Sequence, residues 1–557
     1  MPQYYIPKIG KISLSSNDFI TKGGEGSIFG KGTKIYKIYT DQKKTIPEGK
    51  IRELQTLAHP NILTPIEALL NNKNNIAGFT MKWQKDTIPL CKLFTNDFRK
   101  RKNINKTQTV ELIKKIQETI NFIHSKKCLI VDGNELNYLV SDHNFNIPYF
   151  IDTDSYQTPT YPATAIMPNI RDYHNNSFSE GTDWFSFAII SFLVFVGIHP
   201  FKGSYPGYAK YDLQKRMMDN KSVMNKKATI PKTARDFSYI PNSFYKWYID
   251  LFEKGERKAP PCLSSGFMIT IPKQYKAGED KFNIKEIASY GTDILYYQYN
   301  VVKLGKEAII DSTKYICGLN EEIIVTKRKS IPIFIDIHDN KLNLRSDSAP
   351  IFNIEIGCTD KMIIENILYL KNEDKLLEVS FNDGGKKIFP CIENVWPISP
   401  NASTLYSNVI YQNTLDKSYL IISSPPSRCH YIQVKELDGY KIIDAKYSKS
   451  ICCLIAHKNN QYDRIILRFD ANFVNYDCRI IKDIDYLEIN FIVKNNGVVA
   501  FIQDETTMEI FSNKINNKNI TKIENANLPM PLKLCTDGNR VMFFKENKLS
   551  TINMKQN

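Results

Sequence analysis

Two aspartates and an asparagine in the first half of the chain have side chains and spacings that could do chemistry. In IHSKKCLIVDGNELNYLV, Asp132 and Asn137 have four residues between them, and Asp152 follows fifteen residues after Asn137, at the end of the strand-like run YFI. Carboxylate and amide oxygens are ligands that Mg²⁺ accepts, and a carboxylate can take a proton from a hydroxyl. An aspartate at a strand end is more often a turn former, so this interpretation needs support from the rest of the chain.

A glycine-rich stretch and a lysine near the N-terminus provide part of that support. In TKGGEGSIFGKGTKIYKIY, Gly24 and Gly26 flank Glu25 at a turn, and glycines there would let backbone amides approach phosphate oxygens closely. Lys37 lies eleven residues after Gly26 in a strand-like run, where it either stays at the surface or points inward at phosphates. A plain hairpin is the more common explanation of such glycines, so the stretch is weak evidence alone.

The order of these parts resembles a protein kinase. The glycine turn and Lys37 are followed by the helix-like segment PEGKIRELQTLA, by HPNI, and then by the loop with Asp132 and Asn137, whose D-x-x-x-x-N spacing is that of a kinase catalytic loop. Asp152 then takes the place of the metal-binding acid. Each part is weak alone, but their order over about 260 residues is specific.

Later landmarks and particular spellings narrow the resemblance. Asp183 begins an apolar helix-like run that ends at HPF, and Arg257 resembles the arginine that closes the same kinase lobe. Three segments are similar to the corresponding motifs of bacterial helix-hairpin-helix serine/threonine kinases: GGEGSIF, DGNELN and IDTDSYQ. The similarity covers roughly residues 18–262, and no helix-hairpin-helix segment follows it.

The resemblance implies an α+β two-lobed fold and transfer of phosphate from ATP, with Mg²⁺, to Ser or Thr hydroxyls of a protein substrate. In that scheme Asp132 accepts the proton of the attacking hydroxyl, while Asn137 and Asp152 bind Mg²⁺ and Lys37 holds the α- and β-phosphates. The residues that the resemblance implies as contacts of the nucleotide are Gly24, Glu25, Gly26, Ser27, Lys37 and Met81.

Two positions leave alternatives open within this scheme. A helix glutamate should position Lys37, but the usual place is occupied by Lys50; we choose Glu53, which lies on nearly the same helical face, over Glu48. Asp154 is either a second acid beside the magnesium site or a turn former in place of the glycine of Asp-Phe-Gly.

Three features depart from the usual kinase pattern. Ile130 and Val131 replace the His-Arg pair, so no arginine there could read a phosphorylated activation loop. Asn134 stands where many Ser/Thr kinases have a lysine. Residues 165–169, AIMPN, lack the glutamate that should pair with Arg257.

The chain of 557 residues is too long for one core, and its character changes near residue 260. Before that point helical and strand patterns are mixed; the apolar run 184–198 is shorter than the roughly 20 residues that span a bilayer, so we expect a buried core helix and no membrane partner. No secretory signal is recognisable, and the eleven cysteines form no CxxC pair. A reducing cytoplasm fits best.

The second half repeats with a nearly fixed period. Ile367, Val409, Ile451, Val498 and Val541 occupy equivalent positions, at spacings of 42, 42, 47 and 43 residues. Units of about this length that are built from strands are typical of a β-propeller, so we predict six or seven blades rather than a large β-sandwich. The predicted organisation is a kinase-like domain at 1–262, a linker at 263–283 and a propeller at 284–557.

The formal charge of +15 could indicate a nucleic-acid partner, but the lysines are spread along the chain, and a solvated surface is the better explanation. We expect the propeller to bind a protein partner. The resemblance also suggests a metal-dependent protein phosphatase or a von Willebrand-type domain protein as partner. Two other functions stay open: a pseudokinase scaffold without chemistry, and a kinase-fold enzyme that modifies a small molecule or transfers AMP.

Overall fold

A computed structural model of the chain describes residues 3–7, 9–163, 165–210, 212–263, 278–298, 301–326, 330–352, 354–384, 386–515 and 517–555. The chain divides into two compact units, Met1–Lys276 and Ala277–Asn557. Most of the predicted linker, residues 264–277, lies outside the described residues.

The first unit begins with a seven-stranded antiparallel sheet in the order β2-β1-β6-β7-β5-β4-β3. Its strands are β1 (Gln3–Ile6), β2 (Gly10–Ser13), β3 (Phe19–Lys22), β4 (Gly26–Lys31), β5 (Lys34–Tyr39), β6 (Glu67–Leu70) and β7 (Ile76–Lys82). A second sheet has the order β10-β9-β8 and contains β8 (Thr87–Pro89), β9 (Tyr138–Ser141) and β10 (Pro148–Phe150). Both sheets position residues of the candidate site.

Six α-helices are described in the same unit. They are α1 (Glu48–Leu54), α2 (Asn96–Arg101), α3 (Lys106–Ser125), α4 (Glu180–Val196), α5 (Leu213–Met218) and α6 (Asn242–Phe252). α4 is buried from Thr182 to Val196; it begins at the cap Ser179 and ends at Gly197, whose φ of 81° suits glycine. The prediction of a buried core helix here is confirmed. Among the residues that the structure describes, no helix is both long and apolar enough to cross a membrane.

The second unit consists, in its described residues, of seven antiparallel sheets, six with four strands and one with three. One sheet combines β11 (Phe282–Ser289) with β35 (Lys533–Cys535), β36 (Met542–Lys545) and β37 (Lys548–Met554). The next sheet contains β12 (Ile294–Gln298), β13 (Val301–Leu304), β14 (Glu307–Ile310) and β15 (Thr313–Ile316). It is followed by the three-stranded sheet of β16 (Glu322–Val325), β17 (Pro332–His338) and β18 (Lys341–Arg345). The sheet after that contains β19 (Asp360–Ile364), β20 (Ile367–Asn372), β21 (Lys375–Asp383) and β22 (Ile388–Pro397).

The remaining three sheets have the same form. They are β23 (Ser403–Tyr406), β24 (Val409–Thr414), β25 (Lys417–Ser424) and β26 (Arg428–Gln433); β27 (Lys441–Ser448), β28 (Ile451–Lys458), β29 (Gln461–Phe469) and β30 (Tyr476–Ile481); and β31 (Phe491–Val493), β32 (Val498–Asp504), β33 (Thr507–Ser512) and β34 (Ile520–Ile523). In each of these three sheets, the strands lie side by side in chain order.

The sequence repeat corresponds to this succession of sheets. The equivalent positions Ile367, Val409, Ile451 and Val498 each begin the second strand of their sheet, and Val541 directly precedes β36. One repeat therefore builds one sheet. The exception to local pairing is β11, the first strand of the unit, which pairs with β37, the last.

Candidate active site

The hairpin of β9 and β10 brings Asn137 and Asp152 to the same end of a sheet. Tyr138 and Phe150 are paired in this hairpin, so the residues just before β9 and just after β10 lie side by side. The Ile151 amide donates to the Asn137 carbonyl at 3.0 Å, which extends the pairing by one step. Asp152 adopts φ 58° and ψ 32°, a left-handed conformation that aspartate tolerates better than most residues and that turns the chain there.

A buried carboxylate holds the loop that carries Asp132. Asp183, in the first turn of α4, accepts hydrogen bonds from the amides of Ile130 and Val131, each at 2.8 Å. Its Oδ2 also lies 2.9 Å from Nε2 of His124. Val131 has φ 62°, which is costly for a β-branched residue, so the backbone before Asp132 is held in a strained conformation by these bonds.

Asp132 is bonded on both carboxylate oxygens. Oδ1 accepts from the Met167 amide at 2.9 Å, and Oδ2 accepts from Nδ2 of Asn134 at 3.0 Å. Asn137 donates its Nδ2 to the Asp132 carbonyl at 2.8 Å, which leaves the amide oxygen of Asn137 as its ligand atom. Burial raises the pKa of Asp132 above its ordinary value. Asn134, in the place of the usual lysine, is itself buried and fixes Asp132.

The Lys37 ammonium contacts both aspartates of the segment 152–154, Asp152 and Asp154. Its Nζ lies 2.7 Å from Oδ1 of Asp152 and 2.7 Å from Oδ2 of Asp154, and a third carboxylate, that of Glu25, is 3.9 Å away. The lysine is 5% exposed, so it points inward and does not stay at the surface. Burial alone would lower the pKa of Lys37, but Asp154 and Asp152 outweigh burial and raise it above the ordinary value.

The first sheet fixes the backbone of Lys37. β5 lies between β4 and β7, and Lys37 is paired with Phe79 on one side and Ile28 on the other. A Cβ at Gly78 would overlap the carbonyl oxygen of Lys37, so only glycine allows β7 to approach this closely. A glycine within the apolar run IAGFTMK was the available sequence signal for this contact.

The glycine-rich stretch forms a tight turn between β3 and β4. The Gly23 amide donates to the Gly26 carbonyl at 2.8 Å, and the Thr40 amide donates to the Glu25 carbonyl at 2.9 Å. A Cβ at Gly26 would overlap the carbonyl of Ile38, so packing against β5 requires this glycine, whereas a Cβ at Gly24 would meet open space. Gly24 is therefore the position of the turn where a ligand could approach the backbone.

The remaining predicted contacts lie on strands of the same sheet. Ser27 follows Gly26 on β4 and is paired with Ile38. Met81 is buried near the end of β7 and is paired with Ile35. Both residues therefore lie on strands that flank β5, and each is paired with a residue of β5 other than Lys37.

The structure does not bring Glu53 to Lys37. The Glu53 carboxylate instead accepts a hydrogen bond from the amide of Thr160 at 3.2 Å, beyond the turn Thr153–Ser155. Lys50, one turn earlier on α1, is the residue that is buried, and burial lowers its pKa. The choice of Glu53 assumed that an acid on the helix contacts Lys37; the acids in contact with Lys37 are instead Asp152 and Asp154.

Arg257 has a partner that the sequence did not reveal. Its Nε and a terminal nitrogen bond the two oxygens of Asp172 at 2.6 and 2.7 Å. Asp172 lies three residues after the segment 165–169, which lacks the expected glutamate. Burial opposes ionisation of Asp172, but the paired guanidinium lowers its pKa below the ordinary value. In the same region, Nε2 of His199 lies 2.7 Å from the Asn169 carbonyl oxygen.

The donor set at the end of the hairpin fits Mg²⁺ with a nucleotide phosphate. Asp152 offers a carboxylate and Asn137 an amide oxygen, and Mg²⁺ in phosphate-transfer sites is usually held by one or two protein groups together with phosphate oxygens. The neighbouring Lys37 ammonium is a cation that could bind such phosphates. These residues would hold the group, and Asp132 lies in the adjoining loop, bonded to Asn137.

Comparison with known proteins adds no assignment to this site. No protein-family model matches the chain, and no curated protein matches it significantly. A function must therefore follow from the residues and their geometry.

Proposed function

We propose that the first unit is a protein-kinase-like phosphotransferase that uses ATP and Mg²⁺ to phosphorylate Ser or Thr hydroxyls of a protein. The observation that carries the proposal is the 2.7 Å contact between Lys37, from the first sheet, and Asp152, from the end of β10. In the proposed site, Lys37 is the cation that binds phosphates and Asp152 is the acid that binds the metal. Phosphoryl transfer depends mainly on placement and charge neutralisation, so this pair is the arrangement that the reaction needs.

Each residue of the site has a role in this proposal. Asp132 holds the attacking hydroxyl and takes its proton, and the raised pKa of its carboxyl brings it nearer to that of an effective base. Asn137 and Asp152 hold the cation, and Lys37 holds the phosphates. When bound, Mg²⁺ would bridge phosphate oxygens and offset their charge. Asp183 keeps the loop of Asp132 in its strained conformation.

The architecture supports the same proposal. We propose that the seven-stranded sheet with α1 is the smaller lobe of a kinase-like fold, and that the helices from α3 to α6 form the larger lobe. We further propose that the seven sheets of the second unit are the blades of a propeller. The pairing of β11 with β37 supports this, because a sheet that joins the first and last strands closes a ring of consecutive blades. Such a ring would present its loops to a protein partner.

The charge distribution favours an acidic protein substrate. Residues 1–276 contain 39 Lys and Arg against 24 Asp and Glu, a difference of +15, whereas residues 277–557 contain 35 of each. The whole excess of the chain therefore lies in the unit with the candidate site. A basic field of this kind attracts acidic partners and raises their local concentration.

The test is transfer of label from ATP by the full chain. With γ-labelled ATP, Mg²⁺ and a serine peptide flanked by acidic residues, the native protein should label the peptide, and Asp152→Ala and Asp132→Ala should not. Asp97→Asn, at a surface ion pair of α2, is the matched control and should retain activity. No labelling by the native protein would favour a scaffold without chemistry. Labelling from α-labelled ATP, with a mass gain of AMP, would favour nucleotide transfer.

A further inference from the structure

Asp154 is far more deeply buried than Asp152, the other aspartate that contacts Lys37. Its side chain is 2% exposed, against 35% for that of Asp152. Oδ2 accepts from Nζ of Lys37 at 2.7 Å and from the hydroxyl of Tyr39 at 2.6 Å, and both donors lie on β5. A carboxylate this deep is tolerated only when it is paired and hydrogen-bonded, so Lys37 and Asp154 depend on each other.

The buried charged residue of helix α1 is Lys50, which is 2% exposed. α1 packs against the turn Thr153–Ser155, and its other buried residues are Ile51 and Leu54. Burial lowers the pKa of Lys50, and the negative charge of Asp154 opposes this effect. Asp154 therefore lies in the field of two buried lysines, one from the sheet and one from the helix.

This arrangement reverses the usual charges of a kinase site. In protein kinases the helix supplies the glutamate that positions the strand lysine, and the metal-binding turn continues with glycine. Here the helix has Lys50 and the turn has Asp154. A glutamate at position 50 would add a negative charge on the helix that packs against the turn of Asp154, so we infer that the two substitutions compensate each other.

We propose that Asp154 is the residue that positions Lys37, in place of a helix glutamate, and that Lys50 on α1 adds a second buried positive charge to the surroundings of Asp154. The proposal rests on the proposed function. Because Asp154 follows Asp152 by two residues, one rigid turn sets both the metal-binding acid and the phosphate-binding lysine. A displacement of α1 would remove Lys50 from the site, yet it would leave Lys37 in position. The site is thus formed without the helix movement that regulates many kinases.

Kinetics separate this positioning role from a general structural one. Asp154→Asn keeps the shape but loses the charge, and it should lower kcat about 100-fold with less than about threefold change in KM for ATP. Lys50→Glu and Asp154→Gly should each lower kcat as well. The double variant Lys50→Glu/Asp154→Gly restores the usual kinase arrangement and should exceed the weaker single variant at least tenfold. A double variant no better than either single one would overturn the charge reversal.

Chemical labelling tests the contact without any activity. Acetic anhydride should modify Lys37 slowly in the native protein and several-fold faster in Asp154→Asn, whereas Lys34 on the same strand, 31% exposed, should react equally in both. Equal labelling of Lys37 in both proteins would overturn the positioning role, even if the native protein transfers no phosphate and the proposed function fails. Circular dichroism identifies a variant that does not fold; Asp154→Gly then replaces Asp154→Asn in the comparison.

Discussion

Lys37 and Asp152 are 115 residues apart in sequence, and their side chains meet at 2.7 Å. One lies on the central part of the seven-stranded sheet and the other just beyond the β9–β10 hairpin, so the contact joins the two sheets of the first unit at one point. The contact also brings together the two opposite charges to which the proposed function assigns the nucleotide phosphates and the metal. Loss of either charged side chain, that of Lys37 or that of Asp152, should therefore disturb the candidate site.

Removal of the Lys37 ammonium tests this contact directly. Lys37→Met should lower kcat about 10²- to 10³-fold, because a preorganised cation at the phosphates is lost and Asp152 and Asp154 then repel each other. Lys34→Met is the matched control on the same strand. Its ion pair with Glu67 is partly exposed, and the substitution should leave kcat nearly unchanged. Activity of Lys37→Met within tenfold of the native value would contradict the role assigned to Lys37.

Local spacing predicted part of this arrangement. The D-x-x-x-x-N spacing indicated that Asp132 and Asn137 lie in one loop, and the structure brings both close to Asp152. The regular positions from Ile367 onward likewise predicted a series of similar strand units, because each sheet is local in sequence. Such features can be recognised in a sequence because the contacts that form them join residues that are close together along the chain.

The contacts that the sequence did not reveal depend on the paths of distant segments. Arg257 pairs with Asp172, 85 residues earlier, and no pattern marks that aspartate among its neighbours. Glu53 has the right helical face by count, but Lys50 is the charged residue of α1 that is buried, and Glu53 contacts Thr160. The pairing of β11 with β37 joins the ends of a unit of some 280 residues, which no local pattern can specify.

The loop that carries Asp132 should depend on Asp183 for both stability and catalysis. Asp183→Ala leaves two buried backbone amides without their acceptor next to the strained Val131, so we expect a loss of about 3 kcal/mol in the free energy of unfolding and a lower kcat. Urea unfolding of the full chain, followed by tryptophan fluorescence, measures the first effect, because three of the four tryptophans lie in the first unit.

A partly exposed aspartate, Asp250, provides the comparison for Asp183. Asp250→Ala breaks surface ion pairs with Lys254 and Lys258 and should change the free energy of unfolding by less than about 1 kcal/mol. If Asp183→Ala were as stable and as active as Asp250→Ala, the carboxylate would not be holding the loop.

The ion pair of Asp172 and Arg257 should make stability depend on acid pH. The pKa of Asp172 is lowered in the folded protein, so the unfolded state binds a proton first as the pH falls. The pair therefore contributes fully above the ordinary pKa of 3.8 and is lost as the pH falls through the lower folded value. The difference in unfolding free energy between native protein and Asp172→Asn should shrink on acidification. A difference that stays constant across this range would exclude the pair as its source.

The basic charge of the first unit predicts selection of acidic substrates. α5 carries the exposed Lys215 and packs against the turn Pro168–Ile170, which directly follows Met167, the residue whose amide bonds Asp132. Exposed Lys226 and Lys227 follow α5 in the same basic stretch. An acidic peptide that reaches Asp132 would therefore pass near positive charge, and its KM should be lower than that of the same peptide with lysines around the serine.

Charge reversal and salt distinguish this attraction from other effects. Lys226→Glu/Lys227→Glu should raise KM for the acidic peptide about three- to tenfold with little change in kcat, and the same change at Lys100 and Lys102 on and beside α2 should have a smaller effect. Raising the ionic strength from about 0.05 M to about 0.5 M should reduce the preference for the acidic peptide, because screening shortens the reach of exposed charges. If RNA binds the unit tightly but the acidic and basic peptides show equal KM, the charge serves a nucleic-acid partner instead.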